Sequence, residues 1–373
     1  MIYLDSAATS LYKPETVQAA VLEAMHRYAS PGRGSHAPAM EAAECCYECR
    51  EKLARLFHAA GPEQVVFTLN ATHALNLAIH TLVRPGGRVL ISGYEHNSVT
   101  RPLHALGAHL TVLATPLFDP AAFLEDAQKQ IAAVDAVICT HVSNVFGYVL
   151  PVQELAALCR SYGKPFVLDA AQSAGVLEVD MQRLGADFVA MPGHKGLMGP
   201  QGTGVLLCRD SALPLLYGGS GSDSARQSMP EYLPDRLEAG TQNVCGIAGL
   251  SAGVDYLLQT GTASVRARER ALLEKLAGAL SGLEGLRLFY SPDSAQQCGV
   301  LSVLPERTDC EHFAALLSEQ GIAVRSGLHC APLAHRTART AETGTVRFSF
   351  SPFNTAGHIQ RAAACCAAIL KNF

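Results

Sequence analysis

The sequence predicts an α/β protein. A large domain is expected on a seven-stranded, mostly parallel sheet flanked by helices, followed by a smaller α+β C-terminal domain. Three observations carry that expectation. Seven short apolar runs fall between residues 65 and 208, and most alternate with segments whose apolar residues recur at helical spacing. Strands alternating with helices build a parallel sheet covered on both faces, so each run is apolar throughout rather than at every second position. After Glu238-Ala-Gly-Thr-Gln-Asn243 the alternation gives way to two long helical stretches and then a mixture of strand and helix. At 373 residues the chain also exceeds the length at which a single core stops growing. The expected division is 1–265 for the large domain and 266–373 for the small one, with residues 1–15 able to pack with the latter.

The elements follow in order. Met1-Ile-Tyr-Leu-Asp5 is strand-like, and Pro14 opens a helix to about Tyr28, proline being favourable at a first helical position. Ser30–Pro38 reads as a loop from its glycine and proline content, and an amphipathic helix follows from Met40 to Ala59. Val65–Leu69 is a strand, Ala74–Val83 a helix, Arg88–Ser92 a strand, and the segment after Glu95-His-Asn-Ser98 a helix. Strands at His109–Leu113, Ala136–Thr140 and Pro165–Asp169 are separated by helices at Pro120–Ala132 and Pro151–Tyr162. Asp187–Met191 and Thr203–Cys208 lie too close together for a helical crossover, so an antiparallel strand enters there. Helices over Val244–Gln259 and Val265–Leu283 lead into strands at Leu286–Tyr290, Gly299–Leu304, Ile322–Arg325 and Thr345–Phe350. Helices at Asp309–Gln320 and Ala356–Lys371 complete the C-terminal unit.

Composition excludes several classes. Hydrophobic content of 49% with 17% charged residues describes an ordered chain. A net charge of −4 offers no basic footprint for nucleic acid. No stretch approaches the roughly 20 apolar residues of a membrane span. Met1–Asp5 shows neither a charged leader nor a long apolar one, so a cytoplasmic protein without membrane or nucleic-acid partners is expected. Twelve cysteines in 373 residues are too sparse for a disulfide scaffold. Cys45, Cys46 and Cys49, and Cys365 and Cys366, lack the spacing of a four-ligand zinc site and read as small buried hydrophobes; no metal is expected.

The chemistry is expected at the strand ends, because ligands of open α/β sheets bind beyond the carboxyl ends of the strands. These ends carry Asn70-Ala-Thr72-His73, Glu95-His96-Asn97, Thr140-His-Val-Ser-Asn144, Asp169-Ala-Ala-Gln172 and His194-Lys195. Lys195 stands in Met191-Pro-Gly-His-Lys-Gly-Leu-Met-Gly-Pro-Gln-Gly-Thr-Gly204, a glycine-rich turn between two apolar strands. Such a turn restricts where the amine points, and a desolvated lysine suits Schiff-base chemistry. The set fits pyridoxal 5'-phosphate, with Lys195 forming the Schiff base. Asp169, ending a buried strand, is the kind of carboxylate that keeps a pyridinium nitrogen protonated, although a helix N-cap is its simpler role. Thr72 and His73, at a helix start, are expected to receive the phosphate dianion, with His194 as a further donor. His96 is expected to stack on the ring, while Gln172 and Asn144 supply amide donors for the ring hydroxyl and a substrate carboxylate.

Tyr3-Leu-Asp-Ser-Ala-Ala8, Ala71-Thr72, Glu95-His96-Asn97, Ser143-Asn-Val-Phe-Gly147, Asp169-Ala-Ala-Gln172, Gly193-His-Lys195, Glu238-Ala-Gly-Thr241 and Arg325-Ser-Gly-Leu-His-Cys-Ala331 together resemble the class V aminotransferase superfamily. Within it they resemble the cysteine desulfurase and selenocysteine lyase branch. The resemblance runs nearly end to end. It implies the type I fold of pyridoxal-phosphate enzymes and a homodimer in which Thr241 reaches the phosphate of the partner subunit's cofactor. It also implies that Cys330 accepts the substrate's sulfur and that Arg347 grips the substrate carboxylate, a task suited to a guanidinium. Arg325 and Asn144 complete the implied substrate site. From its glycine and proline, Arg325-Ser-Gly-Leu-His-Cys330-Ala-Pro332 reads as a loop after a strand, where His329 and Arg325 favour the thiolate. Two positions depart from the family pattern: Leu328 stands where a second histidine is commoner, and Pro192 where serine is usual near the phosphate.

The implied reaction converts L-cysteine to L-alanine and leaves a persulfide on Cys330, with Lys195 moving the Cα proton and His96 shuttling protons. A sulfur-acceptor protein follows as a partner, in a sulfur pathway such as iron–sulfur cluster assembly. The nearest alternative is a selenocysteine lyase acting on L-selenocysteine, where Cys330 matters less because selenium leaves more readily. A class V aminotransferase, indifferent to Cys330, and a non-catalytic sulfur carrier are further alternatives.

Overall fold

In the computed structural model, which describes residues 1–32, 34–210 and 212–373, strand β1 (Ile2–Tyr3) precedes helices α1 (Glu15–Arg27) and α2 (Ala37–Phe57). Of the loop expected over 30–38, Arg33 lies outside the described residues, and the helix takes over at Ala37. The chain then alternates through β2 (Val65–Thr68), α3 (Ala71–Leu82), β3 (Arg88–Ser92), α4 (Asn97–Ala105), β4 (His109–Leu113), α5 (Pro120–Gln130), β5 (Ala136–Thr140), α6 (Val152–Ser161) and β6 (Phe166–Asp169). A short α7 (Met181–Leu184) leads to β7 (Phe188–Pro192) and β8 (Gly204–Cys208). After an irregular stretch come α8 (Val244–Thr260), α9 (Thr262–Leu280), β9 (Leu286–Phe289), β10 (Val300–Pro305) and α10 (Cys310–Glu319). The chain closes with β11 (Ile322–Ala323), β12 (Arg325–Gly327), α11 (Pro332–Thr337), β13 (Thr345–Ser349) and α12 (Ala356–Leu370).

The large sheet has the order β2-β8-β7-β6-β5-β3-β4. Its strands pair in parallel except around β8, which runs antiparallel to both β2 and β7. The apolar runs are explained by the two-residue period of a strand, which sends successive side chains to opposite faces. In β3, Val89 and Ile91 pack with Leu75, Ile79 and Leu103 on one face, while Leu90 joins Phe57, Phe123 and Leu155 on the other. In β6, Val167 takes the first face, and Phe166 and Leu168 the second. Helices cover both faces of the central strands β5, β6 and β7, which are buried along their whole length, whereas the edge strand β4 is partly exposed and carries Thr111 at its centre.

The C-terminal sheet is antiparallel in the order β12-β13-β10-β9, and Leu301 and Phe348 pack there on Leu276, Phe313 and Ile359 of the covering helices. Helix α9 touches both cores, with Val265 on the large one and Leu273 and Leu276 on the small one. The expected division at 265–266 therefore falls inside a helix. One sequence expectation changes. The single strand expected over Ile322–Arg325 is two strands: β11 pairs in parallel with β1, and β12 pairs antiparallel with β13. The chain shifts between two neighbours at Val324, because the N-terminal strand lies beside the first half only. Ser349 N–H then donates to Leu4 O (2.8 Å), which draws Asp5 up to β13. Among the described residues no helix is long and apolar enough to cross a membrane.

Glu95 locks the rim where the chemistry is expected. Fully buried, its Oε1 accepts from Thr140 N–H (2.8 Å) and from the Ser92 hydroxyl, tying the ends of β3 and β5. Burial pushes its carboxyl up to about 8, so it is mostly the neutral acid at neutral pH. Glu95→Ala is expected to cost about 2–4 kcal/mol, from the stranded Thr140 N–H and the cavity left behind, read as a lowered urea midpoint at unchanged slope.

Candidate active site

The ends of β5, β6 and β7, the β3–α4 turn and the start of α3 enclose a cavity of about 230 Å³. It brings together Thr72, His96, Asn144, Asp169, Gln172, His194, Lys195, Arg325 and Arg347, drawn from both sheets. Lys195 lies in the turn after β7. That turn packs so tightly on the 170–174 loop that a Cβ on Gly196 would meet Ala174 O at 2.2 Å, which only glycine avoids. Lys195 Nζ has no hydrogen bond or ion pair among the described residues. Burial lowers its ammonium to about 8, against the pull of Asp169 and with the help of Arg347 and Arg325. Asp169, 2% exposed, ends β6 and spends one oxygen on Ala171 N–H (2.9 Å). Its local turn-capping role and a role toward a ligand therefore coexist on different oxygens. Burial raises its pKa, opposed by that N–H and by Lys195.

His96 caps α4 through its ring: Nδ1 accepts from Ser98 N–H (3.0 Å), which leaves the ring proton on Nε2. Burial, then Lys195 and three nearby arginines, push it down to about 4, so the imidazole is neutral. His194 is likewise neutral, lowered to about 4 by burial and Lys195. Its Nδ1 lies 3.0 Å from Thr9 Oγ1, and its carbonyl accepts from Ser10 N–H and Oγ, both at 3.0 Å. Gln172 Nε2 donates to Ala7 O (3.0 Å).

At the start of α3, Asn70 caps the helix by accepting from His73 N–H (2.9 Å), leaving the Ala71 and Thr72 N–H groups without acceptors in the helix. The cap corrects the expectation for His73, whose N–H is spent. Its ring accepts from Leu69 N–H (3.3 Å) and lines a separate cavity of about 160 Å³. Thr241 lines that second cavity too, away from Lys195.

Arg347 is 1% exposed rather than lying on a strand surface. Its Nη2 pairs with Asp5 Oδ1 (2.6 Å) and its Nη1 donates to Asn144 O (2.9 Å), while Nε is buried without a partner. Asn144 Nδ2 donates to His329 O (2.8 Å), which fixes the loop before Cys330. Among the described residues Cys330 is the one cysteine classed as exposed. Cys46, Cys298 and Cys366, by contrast, are buried and pushed up to about 12. His329 and Cys330 both hold positive φ (49° and 56°), and Asn97 N–H donates to Cys330 O (2.8 Å). Arg325 Nη2 reaches to 3.8 Å from Sγ, linking the thiol to the cavity that Arg325 lines.

His329 does not assist the thiol as expected. It is buried, its Nε2 faces Thr345 O and Oγ1 at 3.2 Å, and burial with Arg347 pushes it down to about 2. A ring that stays neutral lends no charge to a thiolate, so Arg325 is the cation beside Cys330. Leu328 is exposed next to the thiol, and Pro192 lines the cavity with neither hydroxyl nor N–H. Sequence reasoning missed Asp5, Thr9, Ser10 and Ser98 as supports of the site. Asp5 stood within a quoted motif, but its partner lies 342 positions away.

Residues 2–362 match the family described as Aminotransferase class-V. The chain belongs to that family. Within it the chain falls among the cysteine desulfurases. It is 35% identical to a probable cysteine desulfurase of Methanothermobacter thermautotrophicus, over 96% of this chain and 92% of that protein. A protein of the same description from Halalkalibacterium halodurans is 36% identical over 95% of this chain and 89% of its own length. Among solved structures, the apo cysteine desulfurase of Thermococcus onnurineus superimposes with a TM-score of 0.92 at 32% identity, covering 100% of this chain and 95% of that one. The cysteine desulfurase CsdA of Escherichia coli gives 0.86 at 28% identity, with 100% and 95% covered.

Because Lys195 is lowered to about 8, amine labelling of the apoprotein is expected to rise with a midpoint near pH 8 at this residue. Asp169→Asn removes the charge that holds the ammonium up, so the midpoint moves lower still. A midpoint at the ordinary lysine value, or an upward move in Asp169→Asn, would contradict this electrostatic account.

Proposed function

We propose that this protein is a pyridoxal-phosphate-dependent cysteine desulfurase, converting L-cysteine to L-alanine and carrying the sulfur away on Cys330. The observation that supports it most is the meeting of Lys195, Asp169 and Arg347 in one cavity, with the exposed cysteine beside Arg325 on the adjoining loop. The residues fit the cofactor. Lys195 has no partner among the described residues, Asp169 is a buried carboxylate with an oxygen to spare, and the start of α3 offers two N–H groups without helical acceptors and the Thr72 hydroxyl. When bound, pyridoxal phosphate supplies a carbonyl carbon for Lys195 and an electron-withdrawing ring that weakens the Cα–H bond of the amino acid.

The chain's own residues divide the remaining work. Asp169 holds a proton on the ring nitrogen, and the neutral His96 offers a flat face and an Nε2–H. Arg347 receives the substrate carboxylate with the N–H groups that Asp5 and Asn144 leave free, including Nε. Lys195, as an amine near its midpoint at neutral pH, takes and returns the Cα proton. Cys330 Sγ then bonds to the substrate sulfur as the Cβ–S bond breaks. L-Cysteine and the thiol become L-alanine and a persulfide, so atoms and electrons balance.

The exposure of Cys330 supports delivery of the persulfide sulfur to an acceptor protein. Thr241, placed away from Lys195 in the second cavity, supports a homodimer in which it serves the partner's site. Twelve unpaired cysteines suit a reducing, cytoplasmic setting.

Intact mass after L-cysteine treatment is expected to rise by one sulfur atom in the wild type and not in Cys330→Ala; an unchanged wild-type mass under all conditions would remove the proposal. Arg347→Lys, which loses the forked donor geometry, is expected to lower kcat/KM for L-cysteine roughly 10- to 100-fold, mainly through KM.

A further inference from the structure

We infer that Ser98 couples occupancy of the phosphate subsite to the basicity of His96. Ser98 acts as a positioning residue through its hydroxyl, and the inference rests on the phosphate reading of the α3 start given above. Ser98 Oγ lies 2.8 Å from Thr72 Oγ1 and 2.9 Å from His96 Nδ1, so three side chains form one continuous hydrogen-bonded line. The line runs from the helix start to the ring that faces Lys195's cavity.

A hydroxyl has one proton and two lone pairs, and that sets a choice. In one arrangement Ser98 donates to Nδ1, and Thr72 must then donate to Ser98. In the other, Ser98 donates to Thr72 and turns a lone pair toward Nδ1. A phosphate dianion offers only acceptors, so it claims the Thr72 proton and selects the second arrangement. The first favours an unprotonated Nδ1, the second a protonated one. Phosphate at the start of α3 therefore raises the basicity of His96 by reversing a hydroxyl, over and above its charge.

The other influences on the ring do not reverse. Ser98 N–H, 3.0 Å from Nδ1, donates to it only while Nδ1 is unprotonated, and so opposes protonation equally in both hydroxyl arrangements. Lys195, Arg325, Arg101 and Arg347, from the β7 turn, β12, α4 and β13, all hold the ring down, as does burial. Glu95, next in sequence, is committed to Ser92 and Thr140.

The test uses the apoprotein, ring-nitrogen NMR of labelled histidine across pH, and inorganic sulfate as the probe, a tetrahedral dianion that stays acceptor-only where His96 titrates and inorganic phosphate is protonated. In the wild type, saturating sulfate is expected to raise the His96 pKa by about one unit more than in Ser98→Ala, the size of one hydrogen bond reversed. Ser98→Ala keeps the backbone cap of α4, and Ser98→Thr, which restores the hydroxyl, is expected to restore the difference. Equal rises in wild type and Ser98→Ala would overturn the coupling while leaving the phosphate subsite standing. Failure of sulfate to perturb the Thr72 and Ala71 amide resonances in the wild type would overturn the coupling together with the subsite reading.

Discussion

The ion pair between Arg347 and Asp5 is the junction on which the site depends. Arg347 belongs to the C-terminal sheet, Asp5 to the N-terminal segment, and Asn144, whose carbonyl accepts a hydrogen bond from Arg347 Nη1, to the loop after β5 of the large sheet. A guanidinium that is 1% exposed is costly to bury unless its charge and N–H groups are matched, and here two distant parts of the chain, Asp5 and Asn144, match all but Nε. The segment after β1 joins β13 beside this contact, through Leu4 and Asp5, so the Arg347 wall of the cavity exists only when the two sheets are docked.

Within the cavity the balance of charge decides protonation. Lys195, Arg325 and Arg347 face one another's fields with Asp169 as the main counter-charge, so Lys195 gives up its proton more easily than an exposed lysine would. The same field, added to burial, keeps His96 and His194 as neutral imidazoles. A site of this kind attracts anions, such as a phosphate and a carboxylate, while holding its bases ready to accept protons. Pro192 adds only apolar surface to the wall, with neither hydroxyl nor N–H to offer an anion.

The choice among twelve cysteines follows from backbone more than from side chains. Cys46, Cys49 and Cys366 sit on the buried faces of helices, where desolvation disfavours the thiolate. Cys330 follows β12 on a loop whose two consecutive left-handed residues turn the thiol outward beside Arg325. The neighbouring His329 is turned inward by the same geometry, packs tilted against His335 and supports the loop instead of the thiol.

By itself, the sequence determined the large sheet, its mostly parallel character and the polar residues at its strand ends. Period-2 and period-3.6 patterns are local, and strand ends are where polar side chains stop costing burial. Lys195, Asp169 and the exposed cysteine were legible for the same reason: each sits in a short segment whose composition forces a turn or a strand end. Only the tertiary structure decided that Asp5 serves Arg347, that His73 is consumed by the Asn70 cap and faces another cavity, that His329 is neutral, and that Ser98 joins Thr72 to His96. Those outcomes depend on side-chain directions and on contacts between residues far apart in sequence. The strand expected over Ile322–Arg325 divided for the same reason: its two halves have different neighbours, and neighbours are a property of the fold.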